Sequence, residues 1–329
     1  MLQLTWSWQP ALYLFLGGMG AGAFVMAAVL FLIDRTKHRL IVCVSMWAAL
    51  VSLAAGLLLL LTELITPTRG LMMWQSFGHF TSWMTYGAWG AFAAMAVFAV
   101  SALLATRPVG VWLAKKWKWF EKRGTALRRV LAVIGIALGA FVAVYTGMLL
   151  MSAESVPLWD TPLLPALFTV SAFDTGVALV ELVAVALAKK DALAPKARVL
   201  MERIVVALVV VECVVLAAFL AVMLGGDASS VVGATGAASA ELLVSGGLAT
   251  CFWGMVVACG LAAPLAMAAA GLALHRRAVK KPGTKQYAGT LMAVGALGAL
   301  IGGCELRFLI LAAGIHADVV AETVMSLIG

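Results

Sequence analysis

The stretch that decides the fold of this chain is VYTGMLLMS at residues 144–152, followed by PLWDTPLLPALF at residues 157–168. The first segment ends one apolar run, and the second is a proline-rich turn that leads into the next. Proline fixes its own backbone angle, so this connection is short and rigid. It carries Glu154 and Asp160 and no lysine or arginine. We therefore predict two membrane helices joined by an acidic loop, with Tyr145 where the apolar span meets water.

The composition extends this prediction to the whole chain. Of its 329 residues, 64% are hydrophobic and only 12% are charged, and the mean hydropathy is +1.06. A soluble domain could not cover so much apolar surface. The net charge of +8 lies in short clusters between apolar runs, which argues against nucleic-acid binding. The first ten residues lack the features of a cleaved signal, so we expect the first apolar segment to remain as a helix.

Eight apolar runs are long enough to cross a bilayer, which takes about 20 residues in a helix. They must be helices, because lipid offers backbone amides no partner and the alternation of a barrel strand is absent. We expect an all-α polytopic membrane protein, a single integral membrane domain over residues 1–329, with two four-helix bundles. The predicted helices lie at about 10–33, 40–64, 82–105, 130–151, 165–188, 203–224, 245–274 and 287–313.

The basic residues predict the orientation. The first, third, fifth and seventh connections carry 3, 8, 5 and 5 of the 23 lysines and arginines. Only Arg69 and Arg307 lie elsewhere. By the positive-inside rule these four connections face the cytoplasm, and both termini face outward together with connections 2, 4 and 6.

Three further features have structural interpretations. The third connection interleaves Trp112, Trp117 and Trp119 with lysines, a pattern typical of a segment on an anionic membrane surface. The sixth connection, 225–244, is rich in small residues and is either a flexible connector or a face for a partner. Pro264 predicts a kink in the seventh helix.

Ionisable residues inside a membrane are costly, and each is a functional hypothesis. Asp174 and Glu181 are seven residues apart and share a helix face, so we propose a proton relay. Its candidate residues are Asp174, Glu181, Glu212, Glu305 and Arg307. The alternative for Arg307 is a structural ion pair with Glu305, Asp174 or Glu63. Glu202 is expected to form a surface pair with its neighbour Arg203.

Histidine and cysteine positions argue against common redox centres in this chain. The four histidines lie in connections or at helix ends, so no pair can clamp a haem. The five cysteines lie in apolar segments without a CxxC pair, which argues against a disulfide framework, a zinc site or an iron–sulfur cluster. We expect no metal site. His79 is either a proton acceptor at the outer surface or a solvated loop histidine.

The first helix contains a run of small residues, GGMGAGA at residues 17–23. It superficially matches a dinucleotide fingerprint, but it lies inside a membrane span rather than after a strand. We predict close packing of neighbouring helices along this run.

Five segments together resemble one known family. They are WQPALYLFL at 8–16, LTELITPTR at 61–69, YTGMLL at 145–150, the loop 157–168, and LRFLILAAG at 306–314. In this order and spacing they resemble the NrfD/polysulfide reductase membrane-subunit family across nearly the whole chain.

The resemblance implies a haem-free, quinol-binding anchor of a respiratory oxidoreductase in the cytoplasmic membrane of a bacterium or archaeon. Such a subunit exchanges electrons between menaquinol or menaquinone and a ferredoxin-like iron–sulfur partner on the outer face. The terminal catalytic site then belongs to another subunit, a molybdopterin enzyme or a multihaem cytochrome c.

The resemblance also implies roles for individual residues. Tyr145 matches the family tyrosine that contacts the quinone. Tyr13 and Pro10 occupy positions where the polysulfide reductase branch has a histidine and an asparagine, and Gly18 completes the expected quinone-binding set. Glu63 is the candidate proton acceptor.

We expect the quinol head group between the first four helices, with Glu63 passing protons outward through Arg69 or His79. Two alternatives are a subunit that conducts protons across the whole membrane and a secondary transporter. A third is a structural anchor without quinone.

Overall fold

The computed structural model describes residues 8–34, 37–62, 83–153, 155–227, 229–280 and 288–317. Within these ranges every regular element is a helix. In chain order the helices are α1 (Trp8–Ile33), α2 (Arg39–Thr62), α3 (Trp83–Ala105), α4 (Arg107–Lys116), α5 (Lys118–Met151), α6 (Leu163–Ala186), α7 (Pro195–Leu224), α8 (Val231–Val244), α9 (Ala249–Cys251), the π-helix π1 (Phe252–Ala262), α10 (Ala263–Lys280) and α11 (Ala288–Ala312).

Eight spans of this part of the chain are long and apolar enough to cross a membrane. They are α1, α2, α3, α5, α6, α7, α11 and the continuous helix formed by α9, π1 and α10. The prediction of an all-α protein with eight membrane helices is confirmed.

Two helices begin well before their predicted starts, because an apolar run marks only the part of a helix that lies in lipid. Helix α5 begins at Lys118 rather than near residue 130, and α7 begins at Pro195 rather than near residue 203. The added turns of α5 carry five of the eight lysines and arginines of the third connection, and those of α7 carry two of the five in the fifth. The tryptophan-rich third connection is therefore largely helical, and its side chains Trp112, Trp117 and Trp119 are exposed.

The sixth connection is mostly helix α8 rather than a flexible connector. Ser230 caps its first turn, since its hydroxyl oxygen accepts a hydrogen bond from the Gly233 amide at 3.0 Å. Just before it, the amide and hydroxyl of Ser229 both donate to the Asp227 carboxylate. These bonds lower the pKa of Asp227, so this carboxylate is ionised at neutral pH.

The small residues of α1 act as predicted, because two neighbouring helices approach them closely. A methyl group at Gly20 would lie 2.8 Å from the Ala49 carbonyl oxygen of α2, and one at Gly22 would overlap the Ala172 carbonyl of α6. On α6, Gly176 packs directly against the backbone of Gly22 in return. Side chains at these positions would push the helices apart.

The helices form two closed rings of neighbours. Helices α1, α2, α3 and α5 pack in one ring, and α6, α7, α10 and α11 pack in the other. Helix α1 also packs against α6 and α11, and α5 packs against α6. The rings are thus extensively joined, and the division into two separate bundles stays a prediction, as does the orientation.

Pro264 is the second residue of α10, which follows the π-helical segment π1. Proline has no amide hydrogen and clashes with the carbonyl four residues earlier, and a widened π turn is a common way to accommodate such a break. The structure shows an eleven-residue π-helix just before Pro264, and the predicted kink at Pro264 stays a prediction.

Candidate functional site

Two tyrosines lie buried at the predicted outer end, in the ring that α1, α2, α3 and α5 form. Tyr13 is on α1 and Tyr145 is on α5, with 5% and 7% of their surfaces exposed. The two side chains are close enough to interact electrostatically. Sequence reasoning placed both in one site, and the structure brings them together; we call them the tyrosine pair.

A glycine notch on α3 holds the Tyr145 ring. Any side chain at Gly87 would overlap this ring, and any side chain at Gly90 would overlap the ring of Phe141. The rings of Phe141 and Tyr145 are nearly parallel, with centroids 6.3 Å apart. Phe141 is 41% exposed on the apolar surface of the protein. The aromatic rings thus lead from the lipid-facing surface to the buried Tyr145.

Pro10 is buried one turn before Tyr13 on α1. Gly18, by contrast, does not lie beside the tyrosine pair. A methyl group at Gly18 would lie 3.0 Å from the Ala172 side chain of α6 and 3.7 Å from Nη2 of Arg307. Gly18 therefore belongs to the contact between the two rings of helices.

Arg307 is fully buried on α11 and donates three hydrogen bonds to neutral groups. Its Nη1 donates to the Ser171 hydroxyl at 2.7 Å and to the Gly303 carbonyl at 2.6 Å. Its Nη2 donates to the Phe168 carbonyl at 3.3 Å. The guanidinium carbon also lies 5.1 Å from the centroid of the Phe168 ring, a cation–π distance.

Two carboxyl groups surround this arginine. The Ser171 hydroxyl also lies close to the Glu212 carboxyl group, so Ser171 lies between Glu212 and Arg307. Asp174 lies one turn further along α6 and interacts electrostatically with both Glu212 and Arg307. We call Ser171, Asp174, Glu212 and Arg307 the polar cluster. The predicted ion pair was with Glu305, Asp174 or Glu63; among the described residues Arg307 forms no salt bridge with Glu305 or Asp174, and Glu63 lies outside them.

A small cavity continues from the polar cluster toward the predicted inner end. Asp174, Glu181 and Glu202 contribute its acidic lining, together with side chains of α10 and α11. Its volume is about 10 Å³, which is about the space that one water molecule needs. Asp174 Oδ1 and Glu202 Oε2 are buried and have no hydrogen-bond partner within the described residues.

The prediction for Glu202 is wrong. This residue does not form a surface pair with Arg203, since only 2% of its surface is exposed. Its carboxylate lies against Gly271 of α10, where a methyl group would come within 2.5 Å of Oε1. Adjacent residues on a helix point in different directions, so Glu202 faces the interior.

The remaining predicted site residues divide into two groups. Glu305 is half-buried, and because it lies two positions from Arg307 it points away from the polar cluster. Glu63, Arg69 and His79 fall outside the described residues. Across the residues that the structure describes, no group of three His, Cys, Asp or Glu side chains could hold a metal ion.

Sequence reasoning missed Ser171, Gly87 and Glu202. Ser171 had a detectable signal, because it precedes Asp174 by three residues and so lies on the same face of α6. Gly87 had no such signal, because the sequence does not distinguish a glycine that accommodates a ring from another helix from any other glycine.

Similarity to known proteins extends over nearly the whole sequence. The model of the family described as "Polysulphide reductase, NrfD" matches residues 1–319. The chain belongs to the NrfD family. The C subunit of polysulfide reductase from Wolinella succinogenes is 30% identical over 323 residues, which covers 94% of this chain and 94% of that protein. Protein NrfD of Escherichia coli strain K12 is 29% identical over 340 residues, which covers 94% of this chain and 95% of that protein.

This chain is therefore a multi-pass membrane protein of the NrfD family, as the five segments that resemble the family indicate. The match extends over both rings of helices. It includes the segments that carry the tyrosine pair, the α5–α6 connection and Arg307.

Proposed function

We propose that this chain is the quinol-binding membrane subunit of a respiratory oxidoreductase. One of its relatives is named as a subunit of polysulfide reductase, so an assembly with partner subunits is the natural context. The observation that carries the proposal is the tyrosine pair. Two phenol groups lie buried at one end of the membrane region, beside an aromatic surface that is accessible from lipid.

These residues fit a quinone, and menaquinone is the form we propose. Its two ring oxygens each need a hydrogen-bond partner, and its flat ring needs an apolar surface. Tyr13 and Tyr145 supply phenol hydroxyls, which both donate and accept hydrogen bonds. Phe141 supplies the flat surface. An apolar tail would leave between α3 and α5, where Phe141 and Val144 are exposed.

A bound quinol supplies two electrons and two protons when it is oxidised. The residues of this chain would hold the head group and accept the protons. Tyr13 and Tyr145 would fix its orientation, with Pro10 packed beside Tyr13. We propose Glu63 as the base, with Arg69 or His79 passing the proton outward.

We further propose that the partner is a ferredoxin-like iron–sulfur subunit docked over the α5–α6 connection. This connection is well anchored, because the Trp159 indole donates to the Ile310 carbonyl at 2.9 Å and the Ala317 amide donates to the Ser155 carbonyl at 3.1 Å. Asp160 remains exposed on its surface. A fixed acidic surface suits the docking of a small electron carrier. The catalytic subunit, a molybdopterin enzyme or a multihaem cytochrome c, would lie beyond it.

The test is turnover of the assembled complex with a menaquinol analogue. Tyr145→Phe should lower quinol-linked turnover roughly tenfold, because it removes one hydrogen bond to the head group. Glu63→Gln should lower it at least about a hundredfold, because it removes the base. Tyr86→Phe is the matched control, since Tyr86 is an exposed tyrosine on α3. Wild-type turnover of Tyr145→Phe and Glu63→Gln in a fully assembled complex would refute the proposal.

A second candidate function is proton conduction across the membrane. The polar cluster and the acidic cavity beyond it favour it, because they align four buried carboxyl groups from mid-membrane toward the predicted inner end. Asp174, Glu181 and Glu212 would relay protons. Arg307 would supply a fixed positive charge at the outer end of this relay. Liposomes that contain the full complex would distinguish the two functions. If the subunit conducts protons, more protons should be released per quinol than the two that quinol oxidation itself supplies.

A further inference from the structure

Another cavity among the described residues lies at the opposite end of the molecule from the tyrosine pair. It is formed by the α1–α2 turn and the α6–α7 connection, and its volume is about 330 Å³. Three basic side chains line it, those of Lys37, Arg39 and Lys190. Asp191 supplies the one acidic side chain of the lining. We call it the basic cavity.

The acidic groups near the basic cavity already have partners. The Asp191 carboxylate accepts hydrogen bonds from the Leu40 amide at 2.8 Å and from the Ile41 amide at 3.2 Å. It therefore caps the N-terminus of α2. Asp34 forms an ion pair with Lys37 at 3.4 Å. With Asp34 counted beside its partner Lys37, the basic cavity and its rim carry three positive charges and two negative charges, and this net positive charge favours an anion.

A buried histidine with an unusual backbone conformation also lies in the lining. His38 has only 4% of its surface exposed, and its Nδ1 has no hydrogen-bond partner in the described part of the chain. Its backbone has a φ of 61°, a left-handed conformation that non-glycine residues rarely adopt. Because Nδ1 is itself inaccessible to solvent, we assign His38 no contact with a ligand.

An apolar stripe begins at the basic cavity and runs along α2. Leu40 lines the cavity, and Trp47, Val51 and Leu58 follow it at spacings of seven, four and seven residues, which keeps them on one helix face. All four are exposed. The Trp47 indole donates to the Thr106 hydroxyl at 3.0 Å, which holds the indole next to the end of α3.

We propose that the basic cavity binds the phosphate group of an anionic phospholipid, whose acyl chain lies along this stripe of α2. The basic side chains of Lys37, Arg39 and Lys190 would hold the headgroup oxygens. A free phosphate ion has the same headgroup chemistry, but it would gain nothing from Leu40 or the apolar stripe. A bound lipid would also hold the α1–α2 turn against the α6–α7 connection, and so join the two rings of helices.

The test measures lipid retained by the purified full-length protein, using native mass spectrometry after exchange into detergent with added phosphatidylglycerol. The double variant Lys37→Gln/Lys190→Gln should retain at least about tenfold less phosphatidylglycerol, since each basic residue near an anionic lipid surface contributes roughly fivefold. The matched control is Arg276→Gln/Arg277→Gln at the end of α10, which removes the same charge from two exposed side chains elsewhere and should retain the wild-type amount.

Two further arms identify the ligand. Phosphatidylcholine, which has a phosphate but no net charge, should be retained poorly by the wild-type protein. Inorganic phosphate at millimolar concentration should not displace phosphatidylglycerol. Equal retention by the two double variants, or complete displacement by inorganic phosphate, would overturn the proposal.

Discussion

Arg307 shows how a single buried charge organises its surroundings. Each of its two terminal nitrogens has a partner from α6 or from its own helix, yet no carboxylate among the described residues bonds it directly. Glu212 and Asp174 compensate its charge from slightly further away. Burying an arginine costs free energy, and burying it without a nearby negative charge costs more.

Replacing Arg307 by methionine should lower the free energy of unfolding by about 3–5 kcal/mol, because the carboxyl groups then lose their positive neighbour. Unfolding in mixed detergent micelles measures this change. Arg276→Met, which removes an exposed arginine at the end of α10, should change it by less than about 0.5 kcal/mol.

Adding Glu212→Gln to Arg307→Met should recover part of the lost stability, because it removes the uncompensated charge. Strictly additive effects of the two substitutions would show that Arg307 and Glu212 are not coupled.

Charges inside a membrane are conspicuous in sequence, so Asp174, Glu181, Glu212 and Arg307 were predictable as buried functional candidates. Their partners were not. Ser171 is an ordinary serine until α6, α7 and α11 bring it between Glu212 and Arg307. The neighbouring Arg203 suggests a surface position for Glu202, whereas the direction of Glu202 on the helix turns it inward.

At the scale of elements, the α5–α6 connection is held by the end of α11. The last carbonyl groups of a helix have no partner within the helix. The Trp159 side chain satisfies one of them, that of Ile310, while its ring packs against Gly314, where a methyl group would lie 2.8 Å from the ring. This contact accounts for a connection with an exposed Asp160 and a buried tryptophan.

Trp159→Phe should lower the free energy of unfolding by about 1–3 kcal/mol, since it leaves the Ile310 carbonyl buried without a partner. It should also make the α5–α6 connection more sensitive to protease. Trp119→Phe, at a tryptophan that is 55% exposed, is the matched control and should alter neither property. Unchanged stability of Trp159→Phe would contradict the anchoring role.

The rigidity of this connection was predictable from its prolines, but its anchor was not. Helix α8 was not predictable in the same way, because its small residues favour flexibility, whereas a capping serine and packing against α7 make the segment helical. Hydropathy could not predict the early starts of α5 and α7, because an apolar run shows only which part of a helix lies in lipid. The polar turns that extend the helix into water give no such signal.

At the scale of the whole molecule, the two rings of helices separate two kinds of chemistry. The ring of α1, α2, α3 and α5 holds the tyrosine pair, and the ring of α6, α7, α10 and α11 holds the buried charges. They meet where Gly18 and Gly22 of α1 pack against Ala172 of α6. Eight helices and their order were predictable from apolar runs, but which helices become neighbours was not.

The most direct test of a quinone site at the tyrosine pair is photolabelling of the assembled complex with an azido-quinone, followed by peptide mapping. The label should appear in the segments of α1, α3 and α5 around Tyr13, Gly87 and Tyr145. An excess of unlabelled menaquinone analogue should abolish it. Displaceable label confined to α6, α7 or α11, or no displaceable label at all, would contradict a quinone site at the tyrosine pair.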